Sequence, residues 1–344
     1  MSSTVRSCAL NGVSGVSIAP LFEHVDFPLL IEPTDPIADP MAWAGEHRAT
    51  VSELVGKHGA LLFRGFPLLG AANFEAFVNG LCPADWVEYR EASTPRSHVN
   101  GHVFTSTEYY PDFRIYVHNE NSHVTSWPLY VFFHCQRPAA EGGHTPVADC
   151  RGVYQRLPAH IVDRFTRTGW LYRRNFHPGS SVTWQKTFGT DHRADVEAYC
   201  RENHMVARWN GDTLTIKYRR WAALRHPLTN DMTWFNHGTF FNPHAMEPAL
   251  KGAVFEMGEE KMPYHTYYGD GTPIDEATIK TLDAAYAAET VIFPWHRGDV
   301  LMLDNMRMAH GRTSFRGQRE VLVAMKRRIR CSEIAAPDQY ALLE

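Results

Sequence analysis

Two histidines and one carboxylate stand where a single metal ion can collect them. His118 and Glu120 lie one residue apart in His118-Asn119-Glu120, and His310 follows far downstream within Asp304-Asn305-Met306-Arg307-Met308-Ala309-His310-Gly311-Arg312. Two imidazoles and a carboxylate on one face of an octahedron form the facial triad that suits non-haem Fe(II), with the opposite positions open to a cosubstrate and O₂. That open face separates such a centre from a closed structural zinc site. Residues i and i+2 of a strand share a face, so one strand is expected to present His118 and Glu120 together while Asn119 points away. The third ligand must then come from a distant strand. The triplet alone is weak evidence, because His24-Val25-Asp26 repeats its spacing where Pro28 follows and no buried strand is expected. What distinguishes His118-Asn119-Glu120 is the alternating segment before it, the Gly-Gly turn after it and a distal partner.

A second constellation follows His310, in Gly311-Arg312-Thr313-Ser314-Phe315-Arg316-Gly317-Gln318-Arg319. A dicarboxylate cosubstrate that chelates a metal through one carboxylate and a keto oxygen needs a cation for its far carboxylate. Arginine suits this because its planar fork makes two parallel charge-assisted hydrogen bonds. Arg312, Arg316 and Arg319 are the candidates, against the alternative that they are solvated loop charges, and Thr145 offers the accompanying hydroxyl.

These residues need strands to hold them. Arg114-Ile115-Tyr116-Val117-His118 and Leu129 to Cys135 read as strands, and Glu141-Gly142-Gly143 as a turn into His144 to Asp149. Gly169 to Phe176, Val300 to Asp304 and Val321 to Met325 are further strand segments, and Ala60 to Phe66 is a short buried one. Helical patterns run through Ala49 to Gly56, Asn73 to Leu81, Pro158 to Phe165, Asp195 to Asn203 and Ile274 to Ala288. Residues 1–40, rich in Pro, Ser and acidic side chains, read as an N-terminal arm. The whole is a mainly β chain with helices, expected to form one domain over 1–344 around a β-barrel or jelly roll.

Composition narrows the function. The 344 residues carry a formal charge of -4, which favours neither nucleic acid nor an anionic membrane as partner. No apolar run is long enough for a transmembrane helix, and Met1 to Cys8 lacks the pattern of a signal peptide. Six scattered cysteines without a CxxC pair read as reduced thiols, so a cytoplasmic setting is expected. No HExxH or CxxC…H arrangement supports a zinc protease or finger.

In order along the chain, Leu62-Phe63-Arg64-Gly65-Phe66, His118-Asn119-Glu120, Trp127-Pro128, Glu141 to Asp149, Trp234-Phe235-Asn236 and Gly298 to Arg312 resemble the Fe(II)/2-oxoglutarate oxygenases of the TauD/TfdA type, in the clavaminate-synthase-like and SyrP-like branch. The resemblance spans Gly59 to Met325. It implies a double-stranded β-helix (jelly roll) with outer helices and a long insertion, about 150–290, before the distal histidine. By resemblance His118, Glu120 and His310 are the iron ligands, and Thr145 and Arg319 bind 2-oxoglutarate. Arg312, Arg316 and Arg327 stay open as alternatives to Arg319. The implied activity couples O₂ and 2-oxoglutarate to hydroxylation of an unactivated C–H bond. The substrate class is an amino acid or its derivative, free or carrier-tethered, in natural-product biosynthesis, with the β-carbon as the expected position. Family members that halogenate replace the metal carboxylate by a small residue, so Glu120 disfavours halogenation. Desaturation, epoxidation and cyclisation can use the same iron site. A cupin-like metalloenzyme without 2-oxoglutarate is the competing class, and Thr145 with Arg319 argues against it. Tyr172 to Asn175 and Lys217 to Trp221 read either as solvated strand edges or as a site for a substrate carboxylate.

Overall fold

The computed structural model describes residues 13–87, 96–107, 109–179 and 182–334. Met1 to Cys8 and the rest of the first twelve residues lie outside these. The chain opens with β1 (Val16–Phe22), β2 (Val25–Pro33), α1 (Pro40–His58), β3 (Ala60–Phe63) and α2 (Ala71–Leu81). There follow β4 (His98–Asn100), β5 (Val103–Thr105), β6 (Ile115–His118), β7 (Ser126–Arg137), β8 (Glu141–Gly142) and β9 (Val147–Asp149). Next come α3 (Cys150–Arg156), α4 (Ala159–Thr168), β10 (Trp170–Phe176), α5 (Trp184–Phe188), α6 (Arg193–Glu202), β11 (Val206–Asn210) and β12 (Thr213–Arg220). The short β13 (Leu224–Arg225) and β14 (Met232–Thr233) precede α7 (Pro248–Glu256), β15 (Tyr264–Tyr268), α8 (Glu276–Ala288) and β16 (Thr290–Val291). The last strands are β17 (Val300–Asp304), β18 (Met308–Arg312), β19 (Phe315–Arg316) and β20 (Glu320–Arg330), before α9 (Cys331–Ile334).

The large sheet runs β1-β2-β3-β17-β7-β20-β5-β4, and the small one β16-β9-β18-β6. Together they form the expected jelly roll. β7 is the spine of the large sheet, paired antiparallel to β17 on one side and β20 on the other. Its near-continuous apolar run fits a strand covered on both faces. Val131, Phe133 and Cys135 join Val147, Met308 and Val323 in one apolar cluster, while Tyr130 and Phe132 pack with residues of α1 and α2 in another. Asp39 caps α1 by accepting from the amides of Met41 and Ala42, with Pro40 at the first helical position. Gly59 ends α1 at φ +76°, and a Cβ there would run into the side chain of Met308. Arg64 makes a two-point contact with buried Asp299, at 3.0 and 2.7 Å, tying the end of β3 to the start of β17. The Leu62 to Phe66 and Gly298-Asp299 motifs therefore meet through this ion pair, away from the triad.

Two expectations change. Residues 16–33 are not a loose arm: β1 and β2 form a hairpin, and β2 lies parallel beside β3, with Leu29 opposite Leu61 and Ile31 opposite Phe63. Ile18, Leu29 and Ile31 are buried. Three prolines in the hairpin (Pro20, Pro28 and Pro33) obscured that alternation, and Pro is tolerated near a sheet edge. The region expected as an insertion holds more strand than the single segment read at Gly169 to Phe176. It contains a second four-stranded sheet, β11-β12-β10-β15, on which Tyr172, Leu214, Ile216 and Tyr218 form a core with Phe165 and Trp234. No helix among the described residues is long and apolar enough to cross a membrane.

Candidate active site

β6 and β18 pair antiparallel with His118 directly opposite His310. Directly opposed residues hold their Cβ atoms about 5 Å apart, and the two imidazole centroids are 4.8 Å apart. The approach depends on Gly311, where a Cβ would sit 2.6 Å from the carbonyl oxygen of Ile115. The register shifts just beyond His310, so the strand bends at that glycine. Asp304 shapes the preceding turn by accepting from the amides of Met306 and Arg307, which turns the chain back and delivers His310.

Glu120 arrives differently from the expectation. β6 ends at His118, and Glu120 lies in the turn that follows, not on the strand. Asn305 takes the place of a strand partner: its Oδ1 accepts from the Glu120 amide at 2.6 Å, and its Nδ2 donates to the Glu120 carbonyl at 2.9 Å. Asn119 does turn away, donating to the Asn305 carbonyl at 2.7 Å. Asn121 then adopts φ +59°, the bend that closes the turn. A backbone saturated by a side-chain amide cannot also join the sheet ladder, so the strand stops there.

The result is a compact donor set. One ligand atom from each of His118, Glu120 and His310 lies within 4.8 Å of the others, and all three residues are buried. His118 Nδ1 donates to the Tyr116 carbonyl at 2.8 Å, which leaves Nε2 as the free lone pair. Nε2 of His310 lies 3.9 Å from Glu120 Oε2. Burial holds the pKa of both histidines down, well below the usual value for His310, so both are neutral donors. This set fits Fe(II): two neutral imidazoles and one carboxylate, buried and converging. Among the described residues it is the one group of three such side chains placed to hold a metal ion. His24 and Asp26 build no second one; Asp26 lies 3.3 Å from His58 instead.

The cavity beside the triad is lined by Thr145 and Arg319, with Arg96 and Arg312 also facing it. Thr145 Oγ1 accepts from Trp295 Nε1 at 3.1 Å. Arg319 donates from Nε to the Gly143 carbonyl at 2.8 Å and from Nη1 to Ser106 Oγ at 3.2 Å. Its path requires Gly143, where a Cβ would lie 2.9 Å from Arg319 Cδ. Burial, helped by the neighbouring Arg312, lowers the Arg319 pKa to about 10. Arg312 is differently engaged: its two Nη atoms donate to the carbonyls of Tyr109, Tyr110 and Phe113. Arg316 is exposed near Glu141, and Arg327 lies against Tyr130. Neither lines the cavity. Arg220 and Arg173 are likewise committed elsewhere, to the His123 and Asn203 carbonyls and to Glu259 and Glu260.

Three side chains of the site escaped sequence reasoning. Arg96 donates to Glu120 Oε2 at 2.7 Å, with both side chains about 95% buried. A buried carboxylate among neutral groups needs such a partner, but nothing in Thr94-Pro95-Arg96-Ser97 signals it. Asn305 sat unremarked inside a recognised motif. His237 follows Trp234-Phe235-Asn236, and its ring lies 5.3 Å from that of His118, with Nδ1 2.6 Å from Ser122 Oγ.

Behind His237, burial pushes the His123 pKa down to about 3, with Arg174 and Arg220 adding to it. The unfolded chain binds a proton at this position below about pH 6.5, while the folded chain resists until about pH 3. Stability should therefore fall by about 1.4 kcal/mol per pH unit as the pH drops through that window. Urea unfolding midpoints followed from pH 7 downward should decline less steeply in His123→Gln than in the parent. Equal slopes would remove His123 as the source.

A family model described as "Taurine catabolism dioxygenase TauD, TfdA family" matches residues 18–325. Dapdiamide synthesis protein DdaC of Enterobacter agglomerans is 35% identical over 277 residues, covering 80% of this chain and 84% of that protein. A clavaminate synthase-like protein of Arabidopsis thaliana is 30% identical over 286 residues, covering 80% and 83%. Among solved structures, PvcB of Pseudomonas aeruginosa superposes with a TM-score of 0.56 at 15% identity, covering 94% of each chain. That likeness shows the shared fold.

Proposed function

This chain belongs to the TauD/TfdA dioxygenase family, and from that premise we propose that His118, Glu120 and His310 bind its iron, that Thr145 and Arg319 hold 2-oxoglutarate, and that an amino acid or amino-acid derivative is hydroxylated there. The chain is an Fe(II)/2-oxoglutarate-dependent dioxygenase. The observation that carries the residue assignment is the cross-strand pairing of His118 with His310, with Glu120 brought to the same point by Asn305.

Fe(II) with 2-oxoglutarate supplies the activation of O₂. That chemistry would place one oxygen atom in a substrate C–H bond and the other in succinate, with loss of CO₂. The protein's own residues position the reactants. The Tyr116 carbonyl fixes the His118 tautomer, and Arg96 holds one oxygen of Glu120. Three guanidinium groups (Arg96, Arg312 and Arg319) line the cavity against the single carboxylate of Glu120, an imbalance that suits a dianion. Thr145 and Arg319 together offer a hydroxyl and a fork to the far carboxylate, while Phe133, whose ring is 4.9 Å from that of His310, keeps one wall dry.

The amino-acid class draws support from the relative named for dapdiamide synthesis, and delivery of the substrate on a carrier protein belongs to the same reading. A cytoplasmic setting fits Cys82, Cys135, Cys150, Cys200 and Cys331, all free and buried. Anaerobic addition of Fe(II) and 2-oxoglutarate should produce the weak visible charge-transfer band of the chelate, diminished or shifted in Glu120→Ala. Bound metal with no band would overturn the 2-oxoglutarate assignment and favour the cupin-like alternative.

A further inference from the structure

A second cavity, of about 260 Å³, adjoins the triad and shares Thr107 and Ile115 with the cavity around it. Its walls are largely apolar: Phe113, Ile115, Phe240, Phe241, Leu250 and Tyr264. The ring of Phe240 is 4.8 Å from that of His118, so the chamber's inner end lies against a proposed iron ligand. The charged groups among its lining residues are Arg114 and Glu247, paired with each other at 2.9 Å. Their side chains are 50% and 34% exposed, whereas the triad is buried, so the pair marks the mouth and the triad the floor.

Resting on the oxygenase reading above, we propose that this chamber selects a zwitterionic substrate. The substrate is an α-amino acid, or a derivative that keeps both its ammonium and its carboxylate and so is free rather than held on a carrier as a thioester, bound with its charged head at Arg114 and Glu247 and an apolar arm reaching toward His118. Charge complementarity carries the argument. A half-exposed ion pair contributes at most about 1 kcal/mol, so opening it costs little. A ligand with a carboxylate alone would pair Arg114 and leave Glu247 without a partner; an amine alone would do the reverse. A zwitterion replaces one weak pair by two.

Both residues are free to do this and held in place. Arg114 immediately precedes β6, and its guanidinium lies 5.5 Å from the ring of Tyr116, which is itself tethered to Asp283 at 2.6 Å. Glu247 is the residue before α7, yet its side chain makes no capping bond to that helix. Distance adds a second consequence. Four strand residues separate the Cα atoms of Arg114 and His118 by about 13 Å. With its head at the exposed mouth and its arm toward buried His118, the substrate would present a carbon of the arm, beyond its α-carbon, to the triad.

The test uses probes that share one carbon arm: norleucine, its deaminated analogue hexanoate and its decarboxylated analogue pentylamine, with glycine as the head alone. Binding is measured by anaerobic calorimetry to the protein loaded with Fe(II) and 2-oxoglutarate, whose chelate band also reports that each variant has folded. Norleucine should bind at least about tenfold tighter than the other three. Arg114→Gln should remove its advantage over pentylamine, and Glu247→Gln its advantage over hexanoate. Equal binding of the three arm-bearing probes, no measurable norleucine binding, or a preference that survives in both variants would overturn the inference. A chelate band that never forms would instead sink the oxygenase assignment, so the two failures are distinguishable.

Discussion

Asn305→Ala should destabilise the protein by about 3–6 kcal/mol and abolish metal binding at the triad. The Asn305 side chain accepts from the Glu120 amide at 2.6 Å and donates to the carbonyls of Glu120 and Pro128, both at 2.9 Å. Alanine leaves three buried backbone groups unpaired, each at a cost of about 1–3 kcal/mol, part of it relieved by local relaxation. Against a typical total stability of about 5–15 kcal/mol that is a large fraction. The second consequence is geometric. Without the Asn305 side chain, the turn keeps the Ser122 amide to Asn119 carbonyl bond, the Asn119 side-chain bond and the Arg96 contact to Glu120, none of which fixes the Glu120 backbone, and a ligand displaced by an ångström no longer converges with His118 and His310. Urea unfolding reads the first effect and a Co(II) or Fe(II) titration reads the second. Asn305→Asp keeps the acceptor but sets a carboxylate oxygen against the Glu120 and Pro128 carbonyls, so it should rescue neither measurement fully. An unfolding midpoint unchanged in Asn305→Ala would show that the turn is held by other contacts.

Arg319→Ala should weaken 2-oxoglutarate binding at least about 30-fold, consistent with the 2–5 kcal/mol lost when one member of a buried charge pair is truncated. Arg312→Ala should act mainly on stability, because its three carbonyl contacts tie β18 to residues 109–113. Its effect on 2-oxoglutarate is expected to be tenfold or less, through the loss of a nearby positive charge. The two arginines both line the cavity, but of the two only Arg319 keeps an Nη2 without a hydrogen bond among the described residues. Affinity for 2-oxoglutarate, read from the chelate band, separates them; the reverse ranking would make Arg312 the clamp. Arg319→Lys should fall between, since an ammonium retains the charge and loses the fork.

Much of this is legible in the sequence alone. The residue types at His118, Glu120 and His310, the proposed ligands, point to Fe(II), because donor chemistry belongs to the side chain and not to the fold. The apolar runs at Leu129 to Cys135, Val300 to Asp304 and Val321 to Met325 determined the central strands, since buried strands announce themselves by composition. Sequence by itself set His24-Val25-Asp26 aside on the wrong ground, since the strand that Pro28 argued against is β2; the fold leaves that pair without a metal-binding partner among the described residues and sets Asp26 beside His58. Sequence did not determine how Glu120 reaches the two histidines. Periodicity assigned it to a strand, while the tertiary structure placed it in a turn held by Asn305, whose hydrogen bonds replace a ladder. Nor did it separate Arg312 from Arg319, or reveal Arg96 on Glu120. A guanidinium's role depends on which carbonyls and carboxylates lie within about 3 Å of it, and those partners come from segments far apart in the chain that only the packing of the two sheets brings together.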